Sequence, residues 1–158
     1  MKFKYLFPNK YKKIGWFVLI PSVIVGIIIT LGVEPPSFLT INVPAIFIDE
    51  LFGDKKLFGL VKTNIFDEVL SILIIVSSIL VGFSKEKQED EFIAKIRIES
   101  LVWATYVNYG ILVLAIAFVF EIAFLQIMIC NMFTILLVFI VRFNWLVYKL
   151  NKAVDYEE

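Results

Sequence analysis

Four long apolar runs constrain this chain more than any other feature: Ile14–Val33, Phe66–Phe83, Ser100–Phe120 and Ile122–Val141. In each, charge is absent or confined to the ends. Each approaches the ~20 residues a helix needs to cross about 30 Å of hydrocarbon. Core helices of soluble proteins are shorter, and four such runs in 158 residues leave little else to build a protein from. Composition agrees: 60% of residues are hydrophobic, and mean hydropathy is +0.88. A water-soluble body of this size cannot bury so much apolar surface. The expected fold class is therefore an all-α membrane protein, a four-transmembrane-helix bundle forming a single membrane domain over residues 1–158.

The first run follows several lysines, as a signal peptide would. It is too long for one, and Thr30–Pro36 lacks the usual small-residue cleavage pattern, so a retained helix is expected. Pro21 and Gly26 within it predict a kink or a close helix contact, and Pro35 and Pro36 are expected to end it.

Positive charge sets the expected direction. Lys2, Lys4, Lys10, Lys12 and Lys13 precede the first run. Lys85, Lys87, Lys95 and Arg97 lie in the link 84–99, while Arg142, Lys149 and Lys152 accompany the last run, which is expected to extend to about residue 150. The turn between the third and fourth runs holds only Glu121. The positive-inside rule puts both termini and the link 84–99 in the cytoplasm. Trp16, Trp103 and Trp145 fall near the same ends, where an amphipathic ring favours the membrane interface.

The outer segment 34–65 alternates partly over Phe38–Ile48. Gly53–Asp54 is a turn signal, and Lys56–Val61 reads as a returning strand, so a short β-hairpin or an ordered loop is expected there. Phe47, Ile48, Leu51, Phe52, Leu57, Phe58 and Leu60 are too apolar for a free linker. Asn64 is positioned to cap the second helix, with Asp67 and Glu68 complementing its dipole. Ser84 could cap a helix starting near Lys85 and running on into the third crossing, with Phe92, Ile93, Ile96 and Leu101 on its apolar side.

Arg97, Leu101, Ala104, Asn108, Leu112 and Ala115 share one face of the third helix. At ~1.5 Å per residue, Asn108 and Asn131 meet at mid-membrane across an antiparallel pair, and Arg142 comes to the depth of Glu99. The candidate intramembrane polar cluster is thus Asn108, Asn131, Tyr106, Tyr109, Glu99 and Arg142. Packing polar pairs are the first reading; a ligand, lipid or ion pathway is the alternative. The charged elbow supplies a candidate partner surface of Glu89, Asp90, Glu91, Lys95 and Arg97. It is otherwise a solvated helix face. A metal held by Glu86, Glu89, Asp90 and Glu99 is disfavoured for want of histidine or a second carboxylate-bearing helix.

No catalytic, cofactor or metal residues are assigned. The chain has no histidine, and its single cysteine, Cys130, lies in an apolar run and is expected to be a buried, inert thiol. Phosphate loops, nucleophile elbows, paired cysteines and His-Glu zinc motifs are absent. No basic tract points to nucleic acid. The expectation is a non-enzymatic sensor, regulatory or assembly subunit that works through a protein partner or as a homo-oligomer, with membrane lipids around it and no cofactor. An oligomeric small transporter or channel subunit is the alternative.

Phe83–Arg97, Glu99–Tyr109, Asn131–Thr134 and Arg142–Trp145 together resemble a family of small uncharacterised bacterial four-helix integral membrane proteins. The resemblance spans most of the chain. It implies the bacterial inner membrane and carries no activity.

Overall fold

The computed structural model describes residues 5–45, 58–87 and 89–155. Among these the chain forms helices α1 (Lys10–Thr30), α2 (Phe66–Gly82), α3 (Glu91–Phe118) and α4 (Glu121–Asp155). Strands β1 (Thr40–Ala45) and β2 (Gly59–Asn64) pair between α1 and α2. Three of the helices, α1, α3 and α4, are long and apolar enough to cross a membrane.

Helix α1 runs through Pro21 to Thr30. Its end comes before the prolines expected to stop it. Gly32 takes φ +101°, its N–H donates to Ile29 O, and Val33 N–H reaches back to Ile28 O. This left-handed closure satisfies helix carbonyls, and glycine adopts it without a Cβ penalty. The hairpin is present, with register Thr40↔Asn64 through Ala45↔Gly59, so its return strand begins later than the expected Lys56. The Gly53–Asp54 turn and the apolar residues 47–57 lie outside the described residues. The cap position of α2 is Ile65 rather than the expected Asn64, which stands one residue before it: its Oδ1 accepts from Phe66 N–H at 3.1 Å, and its Nδ2 donates to Pro36 O at 3.0 Å.

The expected helix from Lys85 does not form. Ser84 donates its hydroxyl back to Leu80 O instead. Asp90 caps α3, accepting from Ile93 N–H at 2.7 Å. A carboxylate beats serine here because it also complements the positive end of the helix dipole. The turn between α3 and α4 is as short as expected, and Glu121 absorbs the reversal with φ 61°.

The principal contacts form a row: α1 packs on α2, α2 on α4, and α4 on α3. Glycines set two of these spacings. A Cβ on Gly15 would lie 2.8 Å from Val81 Cγ2, and one on Gly82 would lie 2.6 Å from Phe139 Cε1. The close contact sought at Gly26 is made at Gly15, where the α2 backbone itself comes within 3.1 Å. Most of the core gathers toward one end, around Val81, Ile93, Ile96, Phe139, Ile140, Phe143 and Val147. The rest of the helix surface is apolar and exposed, including Ile20, Ile24, Ile72, Val113, Leu114, Ile116 and Met132. Exposed aliphatic surface on this scale suits lipid as the surrounding medium.

Candidate functional site

The densest polar arrangement lies where the N-terminal segment, the α2–α3 link and the later half of α4 meet. Phe7 runs beside the link as a one-residue parallel bridge: its N–H donates to Phe83 O at 3.0 Å, and Lys85 N–H donates to Phe7 O at 2.8 Å. Asn9 Nδ2 adds a bond to Lys85 O at 2.6 Å. The link is thereby pinned, and two of its acids find partners within the molecule. Glu86 pairs with Lys12 of α1. Glu89 Oε2 accepts from Glu86 N–H at 2.8 Å.

Arg97 completes the cluster from α3. Its two terminal nitrogens donate to the two oxygens of Glu89 at 2.9 and 3.2 Å, and one also reaches Ser84 O at 3.1 Å. The guanidinium lies 4.8 Å from the centre of the Phe143 ring, and Lys12 Nζ lies 5.7 Å from the same ring. Arg97 is only 4% exposed. A charge this deep persists because it is paired, hydrogen-bonded and seated on an aromatic face. Its Nε has no hydrogen-bond partner among the described residues, nor do the hydroxyls of Ser78 and Ser100 nearby in the core.

This arrangement divides the surface expected for a partner. Glu89 and Arg97 are consumed by each other, and Asp90 by its cap. Lys95 and Glu99 stay exposed and face each other at 3.9 Å on the outer side of α3, with Glu91 exposed one turn before them. The described residues contain no group of three or more acids, cysteines or histidines placed to hold a metal.

The intramembrane cluster is also only partly assembled. Asn108 and Asn131 do meet. Asn108 Nδ2 donates to Asn131 Oδ1, and Asn131 Nδ2 to Asn108 O, each at 3.4 Å. The face of α3 inferred from spacing is the buried one, with Arg97, Ala104, Asn108 and Ala115 all inside. Tyr106 and Tyr109 are not part of it: they point outward, 73% and 58% exposed. Nor do Glu99 and Arg142 pair. Arg142 stacks over the Trp103 ring at 4.4 Å, one turn deeper than Glu99, whose partner is Lys95.

Cys130 is exposed rather than buried. It borders an apolar cleft of about 560 Å³ between α1, α2 and α4. Lys12, Glu86, Trp103 and Phe143 take part in the observed contacts; the sequence marks Lys12 for orientation, Trp103 for the interface and Glu86 for a disfavoured metal site, and none of them for these pairings. Only the Arg-Phe-Asn-Trp run at 142–145 marked their vicinity.

Comparison of the chain with protein-family models, with characterised proteins and with solved structures gives no match. The fold itself defines the class: a mostly helical protein with a two-stranded hairpin and three helices of membrane-crossing length and hydropathy.

Proposed function

We propose that the chain is a multi-pass protein of the bacterial inner membrane that crosses it four times, with both termini cytoplasmic. In this reading it is a non-enzymatic regulatory or assembly subunit that acts through a protein partner. The observation that carries the reading is the ionic latch Lys12–Glu86 and Glu89–Arg97. It joins α1, the link and α3 around Phe143 of α4, on the side where lysine is concentrated. Its charges pair within the cluster, two acids against two bases, and are spent on holding these elements together. What it does is hold a pinned link and a projecting α3 in one geometry. The strip Glu91, Lys95, Glu99 on that projection is the surface offered to a partner, and the resemblance to small bacterial membrane proteins supports the compartment. An oligomeric channel would need several copies, because among the described residues the principal helix contacts form an open row, α1–α2–α4–α3, rather than a closed ring.

In vivo crosslinking from a photoreactive residue at position 95, followed by the triple substitution Glu91→Ala, Lys95→Ala, Glu99→Ala, tests the surface. A discrete crosslinked partner, lost in the triple variant at unchanged expression, is the expected result. Crosslinking to lipid alone would remove the partner reading.

A further inference from the structure

The apolar cleft beside Cys130 has a construction of its own. Its floor is α2, through Leu70, Ser71 and Ile74, and its walls are Val23 and Gly26 of α1 and Phe133 and Leu137 of α4. One end is closed by a bond between the walls: Gln126 Nε2 donates to Thr30 O at 3.1 Å. That bond gives a partner to a carbonyl in the last turn of α1, which lacks one within the helix. Beside the bridge stands Asp67, in the first turn of α2. It is exposed, and it makes no ion pair among the described residues.

From Gln126 to Leu137 the cleft follows α4 for about 16 Å at ~1.5 Å per residue. Its volume falls within the ~300–1,000 Å³ of ordinary ligand sites. The surfaces flanking its mouth are aliphatic, with Ile27 on α1 and Ile129 on α4 both exposed. Most of the lining is aliphatic and offers water few partners; the polar side chains gather at the Asp67–Gln126 end, with Ser71 and Thr134 along the length. At membrane depth the material that can enter from the side is an acyl chain. Among the described residues the only charged side chain lining the cleft is Asp67, at the end where a headgroup would lie. A carboxylate there repels an anionic headgroup and attracts an ammonium.

We infer that this cleft is a binding site for one acyl chain of an outer-leaflet aminophospholipid, whose ammonium headgroup lies against Asp67. The inference rests on the proposed membrane topology. The site forms because α1 and α4 flank α2 with little direct packing between them, Gln126 bonding Thr30 O at one end and Lys12 lying over Phe143 at the other. Gly26 of the α1 wall lies over the floor, where a Cβ would meet Ile74 and Leu70 at ordinary contact distance, 3.5 and 3.9 Å.

The test uses the full chain in vesicles of equal phosphatidylethanolamine and phosphatidylglycerol. The vesicles are floated, gently extracted and examined by native mass spectrometry. One phosphatidylethanolamine retained per chain is expected. Cys130→Trp, which fills the cleft, abolishes retention. Asp67→Asn keeps a lipid but lowers the preference for phosphatidylethanolamine by roughly threefold, the scale of an exposed ion pair. Independently of any variant, phosphatidylethanolamine with a diazirine in its acyl chain labels the wild-type segments 23–30 and 129–137. Labelling confined to the outer side of α3, at Val113, Leu114 and Ile116, overturns the site. So does a floated protein without bound lipid, a headgroup preference unchanged in Asp67→Asn, or a lipid-free dimer in which a second copy fills the cleft. Failure to float at all overturns the membrane topology itself.

Discussion

Arg97 is the residue on which most of the polar structure depends. It binds both oxygens of Glu89, reaches Ser84 O, and lies on Phe143. Removing it leaves Glu89 without its partner and opens a void beside a fully buried ring. Breaking a fully buried pair costs about 3–5 kcal/mol, but Glu89 remains partly accessible and keeps the Glu86 N–H bond, so the loss here is about 1–3 kcal/mol. Arg97→Leu is therefore expected to lower the melting temperature in detergent sharply. Arg97→Lys recovers only part of the loss, since an ammonium cannot span both carboxylate oxygens. Equal melting temperatures for Arg97→Lys and the wild type would show that the bidentate geometry carries nothing. Asn108 gives the contrasting case. Its bonds to Asn131 are long, and its Oδ1 is buried without a partner. Asn108→Leu is expected to change stability by about 0.6 kcal/mol or less. The two residues were also unequally legible. The meeting of Asn108 and Asn131 follows from helical rise and a short turn alone, both local properties. The pairing of Arg97 depends on where a non-helical link puts Glu89, and that is decided by Phe7, more than seventy residues earlier in the chain.

At the scale of elements, two glycines govern how closely the helices approach. Gly82 faces Phe139, itself fully buried against Phe83 and Phe143. A methyl group there must displace a ring that has no space to move. Gly82→Ala is expected to destabilise by about 1–3 kcal/mol, the range of overpacked cores. Gly26→Ala is the control: its Cβ would sit at ordinary contact distance, and removing glycine from a helix favours it by about 0.5–1 kcal/mol. Thermal unfolding of the two variants in the same detergent should shift in opposite directions. Sequence pattern drew attention to Gly26, which shares its helix with Pro21, and passed over Gly15. A pattern within one helix does not reveal which glycine meets a neighbour, because that depends on the rotation of two helices about each other. The hairpin shows the same division. Alternation indicated that strands exist, whereas the register Thr40↔Asn64 is fixed by pairing across the two chains of the ladder.

For the whole molecule, the number of crossings turns on α2. It has 17 residues and spans about 25 Å, at the short end of what a membrane helix requires. Its packing argues that it crosses wherever α1 does. Gly15 of α1 lies against Ser77 and Val81, while Gly26 lies against Leu70 and Ile74, so the two helices run antiparallel at matched depth. In the proposed topology a membrane containing α1 over this stretch would contain α2 as well. Single cysteines placed in a Cys130→Ser background test the consequence. An impermeant maleimide applied to intact cells is expected to modify Asn42→Cys and Glu121→Cys. It should reach Lys87→Cys and Lys149→Cys only after the membrane is opened. If α2 lay on the surface instead, positions 42 and 87 would share a side and label alike, while 121 and 149 would still differ. Comparing 42 with 87 isolates the one helix whose length leaves the count open, and comparing 121 with 149 independently reports the direction set by the lysines.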